Sequence, residues 1–277
     1  MQVEGCAHKT FPLITVQFKS AQLSTMALKD LPLEGKTALV TGGSKGIGAS
    51  TAIHLAKKGA NVVINYGSDT ASADALISTL GNSDRSLAVQ ADAGSVAGTE
   101  KIVDATVGKF GKIDILILNA GILPMKDLAS TTEADFDKTF NLNVKGPYFL
   151  AQKAVPHIPE GGRIIFLSTG VNSFSGVAPN YLLYASTKGA VDQMTRVMAK
   201  GLAPKGINVN AIAPGPTGTA LFLEGKSEQV VKGIASNIPK GRLGEPEEIA
   251  DAIGFLCSEE SRWVVGQILR VNGGMML

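Results

Sequence analysis

The 277-residue chain predicts a single doubly wound α/β domain, a parallel sheet of about seven strands with helices on both faces. Three observations carry that expectation. Short runs rich in Val, Ile and Leu recur from residue 37 onward, each followed by a longer segment whose apolar residues keep helical spacing. Runs such as Ile113 to Leu118 are apolar throughout rather than alternating, as in strands covered on both faces. The chain also holds 32 glycines but only 5% aromatic residues, a balance suited to many tight strand-to-helix turns.

The elements follow in order. Residues 1–33 stand outside the alternation. Their apolar stretch from Phe11 to Phe18 is interrupted by Pro12, Thr15 and Gln17, too short and mixed for a membrane span or a signal-peptide core, and the segment lacks the arginines of a transit peptide. It is expected to be a loosely ordered N-terminal extension, removable up to Met26 without loss of activity, ahead of a catalytic domain of residues 34–277. Thr37 to Thr41 is the first strand, followed by a Gly-rich turn and a helix through Ile53 and Leu55 that Gly59 ends. Asn61 to Asn65 is the second, after which Ser68 or Asp69 can cap a helix stopping at Gly81. Leu87 to Gln90 leads to a helix from Ser95 to Phe110-Gly111, and Ile113 to Leu118 is the fourth strand. Thr132 and Asp135 form a capping box opening a helical stretch toward His157, which Pro147 must bend or divide. Arg163 to Ser168, a helix from the Tyr184 segment to about Ala203, Ile207 to Ile212 and Gln267 to Val271 complete the pattern. Parallel strands joined by right-handed crossovers place ligands beyond their carboxyl ends.

Composition narrows the function. A net charge of +2 with 18% charged residues gives no strong field for nucleic acid or an anionic membrane, so the expected partners are small molecules. Cys6 and Cys257 form no redox or ligand motif, which suits a reducing, cytoplasmic setting, and His8, His54 and His157 are too scattered for a metal site.

Two stretches carry chemistry. Thr41-Gly42-Gly43-Ser44-Lys45-Gly46-Ile47-Gly48 lies between the first strand and its helix. Its glycines let the backbone approach a pyrophosphate, and the helix start offers free N–H groups and a positive dipole end. At the end of the second strand, where a carboxylate would bind the ribose hydroxyls of NAD, the chain has Asn65-Tyr66-Gly67-Ser68, with Asp69 later than that position. A 2′-phosphate would not be repelled, and Ser44, Lys45, Asn65 and Ser68 can bind it. The cofactor is therefore read as NADPH/NADP rather than NADH. In the second stretch, Tyr184-Ala185-Ser186-Thr187-Lys188, phenol and ammonium leave one face of a helix. The cation is expected to pull the phenol's pKa down toward the operating range for proton transfer at an alcohol oxygen.

With both motifs in one chain, the sequence resembles the short-chain dehydrogenase/reductase family from Lys36 to Gly274, which implies a Rossmann-type fold. Further residues at family positions are Asp92, where the family binds adenine; Asn119-Ala120-Gly121; Asn143; and Pro214-Gly215. By resemblance, Tyr184 is the general acid in ketone reduction, Lys188 lowers its pKa and holds the nicotinamide ribose, Asn143 positions a relay water, and Thr219 contacts the carboxamide. Leu118 stands where many members carry Asn. The catalytic hydroxyl is Thr169 by strand register or Ser168 if the strand end is shifted, the interval to Tyr184 being longer than the family's. Asn65-Tyr66, Gly161 to Ile164 and the short tail after Gly273-Gly274 are similar to fungal naphthol reductases and related ketoreductases.

Residues 216–241, containing Leu221-Phe222-Leu223, are expected to form a substrate lid. Sugar or polyol dehydrogenases and 3-oxoacyl reductases share much of the pattern, and an NADP-sensing binding protein could use the same fold. The helices around residues 136–155 and 181–203 carry apolar residues on more than one face, as in relatives that pair them into a homotetramer or dimer.

Overall fold

The computed structural model describes residues 31–81 and 83–276. The proposed extension thus lies mostly outside the described residues, although Leu33 is buried in the core and its N–H donates to the Lys58 carbonyl at 2.9 Å. The body of the fold therefore starts before residue 34, because Leu33 packs in the same core as Ala52 and Leu55.

Seven parallel strands form one sheet in the order β3-β2-β1-β4-β5-β6-β7. In chain order these are β1 (Thr37–Val40), β2 (Asn61–Tyr66), β3 (Ser86–Gln90), β4 (Ile115–Leu118), β5 (Arg163–Leu167), β6 (Asn208–Pro214) and β7 (Ile268–Val271). The helices are α1 (Gly46–Lys57), α2 (Thr70–Leu80), α3 (Val96–Phe110), α4 (Glu133–Phe140), α5 (Gly146–Ala154), α6 (Leu182–Leu202), α7 (Ala220–Leu223), α8 (Glu228–Ser236) and α9 (Pro246–Leu256). Successive side chains of a strand point to opposite faces. In β4, Ile115 and Ile117 accordingly pack with Leu55 of α1 and Ile253 of α9, whereas Leu116 and Leu118 pack with Ile102 of α3, Leu150 of α5 and Val191 of α6. Two cores result, which is why the strands had to be apolar throughout.

The caps explain where helices start. Asp69, rather than Ser68, caps α2; Ser95 caps α3; Thr132 and Asp135 form the expected box at α4. The stretch toward His157 is not one bent helix. It passes from α4 through a π-helical turn, Asn141–Lys145, into α5, with Pro147 in the first turn of α5, and ends in a short 3₁₀ turn. Proline has no N–H to give the carbonyl four residues back, so the regular ladder cannot run through it. Among the described residues no helix is long and apolar enough to cross a membrane.

Register aligns the chemistry. Val40 is level with Ile64 and Ile117, Ile117 with Ile165, and Phe166 with Ala211. The segments leaving β1, β2, β4, β5 and β6 therefore emerge together at the carboxyl edge. Strand order reverses between β1 and β4, opening the crevice there.

Candidate active site

The glycine turn forms the first wall of that crevice. Gly42 and Gly46 have φ of 58° and 52°, conformations that side chains disfavour. At Gly48 the constraint is space, since a Cβ would lie 2.2 Å from the Gly42 carbonyl oxygen. Asn119 pins the turn to β4 by donating from Nδ2 to the Thr41 and Gly42 carbonyls at 2.9 and 3.0 Å. The backbone N–H groups of Asn119 and Ala120 both donate to Thr41 Oγ1 at 3.0 Å. Bare backbone, a helix start and a fixed loop geometry fit the pyrophosphate of a dinucleotide.

At the adenosine corner the arrangement differs from expectation in three ways. Asn65 is buried, and its Nδ2 donates toward the carbonyls of Tyr66, Val89 and Ala91 at 3.3, 3.2 and 2.9 Å. Its amide hydrogens tie β2 to β3 and are not free for a phosphate. Tyr66 belongs to the core on the α1 side instead of presenting its ring to a cofactor. Lys45 reaches this corner, but its ammonium pairs with Asp69. Lys45 and Ser72 hold the Asp69 carboxyl down at about 2. Ser44 is half-exposed and Ser68 exposed. Asp92 accepts from the Gly94 N–H at 2.9 Å, fixing the turn after β3.

The nicotinamide end is more enclosed. A cavity of about 660 Å³ is lined by Tyr184, Lys188, Thr169, Gly121, Pro214-Gly215 and Thr219, with Ile47 from the glycine turn. Tyr184 and Lys188 are one turn apart in α6, the ammonium 5.8 Å from the ring centroid. Lys188 Nζ donates to the Leu167 carbonyl at 2.6 Å. Burial lowers this ammonium to about 8, although Asp192 opposes the shift. Burial also pushes the Tyr184 phenol up to about 12, against a smaller lowering by its hydrogen bond with Thr169. The sequence expectation of a depressed phenol pKa is thus reversed in the protein alone, because desolvation outweighs the Thr169 hydrogen bond and the neighbouring Tyr181 adds to the rise.

Adjacent hydroxyls take opposite sides. The Ser168 hydroxyl donates to Asp192, whose other carboxylate oxygen accepts from Asn172 Nδ2 at 3.0 Å. Thr169 turns the other way, to Tyr184 and the cavity, and its Oγ1 accepts from the Val171 N–H at 3.3 Å. Asn143 lies buried in the π-helical turn. Its Oδ1 accepts from the Ile122 N–H at 2.9 Å, while Nδ2 donates to the Ile122 carbonyl at 2.9 Å and to Thr187 Oγ1 at 3.1 Å. Thr187 in turn donates to the Tyr184 carbonyl at 2.7 Å. Thr219 caps α7, and its methyl is the nearest neighbour a Cβ on Gly46 would meet.

Sequence reasoning passed over Asp192, Asn172, Thr187 and Thr41. Asp192 had a signal, since it follows Lys188 by one further turn on the same face of α6. The partners of the others come from distant segments. Val171, Phe174, Val177, Tyr181, Phe222 and Met275 form the outer, largely apolar wall. Phe222 comes from the 216–241 segment, whose ends are tied where Gly218 N–H donates to the Gly244 carbonyl and Gly244 N–H to the Pro216 carbonyl, both at 2.9 Å.

Known proteins match this arrangement along almost the whole chain. A family profile described as Enoyl-(Acyl carrier protein) reductase matches residues 42–276. Versicolorin reductase 1 of Dothistroma septosporum is 38% identical over 261 residues, covering 90% of this chain and 99% of that protein. A probable tetrahydroxynaphthalene reductase of Zymoseptoria tritici is 36% identical over 253 residues, covering 87% and 94%. Among solved structures, a short-chain dehydrogenase from Burkholderia cenocepacia in complex with NADP superposes with a TM-score of 0.82 at 35% identity, covering 88% of this chain and 99% of that one. With the glycine turn, the Tyr184–Lys188 pair and this likeness together, the chain belongs to the short-chain dehydrogenase/reductase family of nicotinamide-dependent oxidoreductases.

Proposed function

We propose that the enzyme reduces the keto group of a flat, mostly apolar substrate of the fused-ring phenolic type, with NADPH preferred over NADH. The observation that carries this reading is the pairing of a protonated Tyr184 phenol with an apolar outer wall in one cavity. A phenol near 12 keeps its proton at neutral pH, as a general acid for reduction must. Bound NADPH supplies the hydride. Tyr184 then gives its proton to the carbonyl oxygen, and the Thr169 hydroxyl beside it stabilises charge developing there. Lys188, anchored on the Leu167 carbonyl, supports the phenolate left behind and would hold the ribose hydroxyls of the cofactor.

Asn143 enters through its backbone. Its side chain is spent on Ile122 and Thr187. Its carbonyl would take an α-helical bond from residue 147, which is proline and has none to give. That carbonyl can hold the water that re-protonates the Tyr184–Lys188 pair.

Apolar lining argues against sugars and polyols, which need polar partners for each hydroxyl. The two fungal relatives are named for versicolorin and tetrahydroxynaphthalene, the second a fused-ring polyphenol by its name. The 216–241 segment supplies a substrate cover. A cytoplasmic enzyme fits the reduced, buried Cys257. Exposed Phe136, Tyr148, Leu182 and Val197 on α4 to α6, with Trp263 and Leu269 near edge strand β7, support two self-association surfaces and a homotetramer.

The test is NADPH oxidation against fused-ring hydroxyketones and quinones, aliphatic ketones and 3-oxoacyl thioesters, with polyols in reverse. Fused-ring ketones should lead in kcat/KM by about tenfold or more. A polyol or thioester in first place would overturn the substrate reading, and tight NADPH binding without turnover would favour a sensor.

A further inference from the structure

We propose that Asp69 moderates the cofactor preference of this enzyme by holding a carboxylate against Lys45 at the corner where an adenosine 2′-phosphate is read. The inference rests on the reading of Lys45 as a phosphate ligand. Two helix starts meet there, since Lys45 is the residue before α1 and Asp69 the residue before α2. They are 24 positions apart in sequence, yet their side chains form an ion pair. Asp69 also accepts from the Ser72 N–H at 2.9 Å and from the Ser72 hydroxyl at 3.0 Å. An ammonium, a hydroxyl and a main-chain N–H at a helix start are a donor set suited to a phosphate. Here the protein fills that set with its own carboxylate.

The consequences for the two cofactors are opposite. A 2′-phosphate must compete with Asp69 for Lys45 and also meets a like charge. A 2′-hydroxyl meets an acceptor just beyond the second strand, the arrangement that favours NAD in doubly wound folds. The Lys45 and Asp69 side chains are 58% and 36% exposed, so their ion pair faces solvent, while Asp69 stays anchored on Ser72. Arg85 offers no relief, being tied to the Gly59 carbonyl and Glu34 at the far end of β2. Asp69 therefore moderates a preference for NADPH that Lys45 creates.

The experiment is calorimetric titration of the full chain with NADP⁺ and NAD⁺, using the unmodified protein, Asp69→Asn, Asp69→Ser and Lys45→Met. Asn and Ser both retain the cap of α2, and a thermal melt within a few degrees of the unmodified protein reports an intact fold. Removing one like charge several ångströms from the phosphate should tighten NADP⁺ about tenfold, weaken NAD⁺ slightly, and do less at high salt. If Lys45→Met loses the NADP⁺ preference but neither Asp69 variant raises it, the proposal is overturned and the phosphate reading stands. If Lys45→Met leaves NADP⁺ binding unchanged, the phosphate reading falls and takes the proposal with it.

Discussion

The two ends of the cofactor crevice rest on different electrostatic footings. At the adenosine end the charged groups are on the surface, where Lys45 and Asp69 form an ion pair of the kind that solvent and salt weaken. At the nicotinamide end Lys188 is 5% exposed, and the carboxylate of Asp192 is held on both oxygens by Ser168 and Asn172. Burial there moves the Tyr184 phenol up to about 12 and the Lys188 ammonium down to about 8. On the proposed reading, cofactor choice would be a contest of weak, replaceable charges, while the chemistry would depend on buried groups fixed by their hydrogen bonds. Substitutions at the buried end should cost catalysis steeply, and those at the open end should shift preferences.

The largest expected effect is at the proton donor. Tyr184→Phe keeps the ring and removes the acid, so kcat should fall about 10³-fold while NADP⁺ affinity stays within a few-fold. Equal losses in binding and turnover would mean that Tyr184 works mainly by packing, erasing the contrast between the two ends. Next is Thr169→Val, which preserves shape and removes the hydroxyl facing Tyr184. It should lower kcat about 10²-fold, with Thr169→Ser active.

The buried ammonium gives a smaller, pH-dependent effect. Lys188 is charged below about 8 and neutral above it, and kcat/KM for NADPH reports groups of the free enzyme. That parameter should be level up to about pH 8 and then fall roughly tenfold per unit. The same burial has a stability consequence of definite sign. Between about 8 and the ordinary value of 10.5 the unfolded chain binds a proton that the folded chain does not, so this group's penalty on folding is relieved as pH rises through that window. A plateau in kcat/KM extending past pH 10 would show that burial does not control Lys188.

Much of this was legible in the sequence, and the limits are physical. Apolar runs marked the strands, most plainly β4 and β5, which are buried along their whole length, and Thr132 with Asp135 announced α4 since a capping box is local. The π-helical turn at Asn141–Lys145 was not, because Pro147 signals an interruption without saying how the ladder closes around it. Asn65 shows the same limit at the site. Its residue type suggested a phosphate donor, but its hydrogens are consumed by carbonyls of β2, of β3 and of Ala91 just after it, partners fixed only by strand pairing. The Lys45–Asp69 and Ser168–Asp192 contacts join loops and helices that meet only in the fold. Tyr184 was placed correctly beside Lys188, yet the direction of its pKa shift depended on burial, which the five-residue motif does not encode.

The smallest expected effect is at Ser168, and it is the sharpest test of how the two adjacent hydroxyls divide their work. Both residues leave the carboxyl end of β5, where side chains alternate. The Ser168 hydroxyl is engaged by Asp192, so its removal leaves Asp192 still bound to Asn172 at 3.0 Å and leaves Thr169 facing Tyr184. Loss of one such hydrogen bond from a carboxylate that keeps another partner is worth about 1–2 kcal/mol of stability, which a thermal melt of Ser168→Ala should register. Turnover should drop by no more than about fivefold, because the Thr169 hydroxyl beside Tyr184 is unchanged. The opposite pattern, Ser168→Ala crippled and Thr169→Val near normal, would move the catalytic hydroxyl back by one residue and reassign Thr169 to the turn it closes with the Val171 N–H.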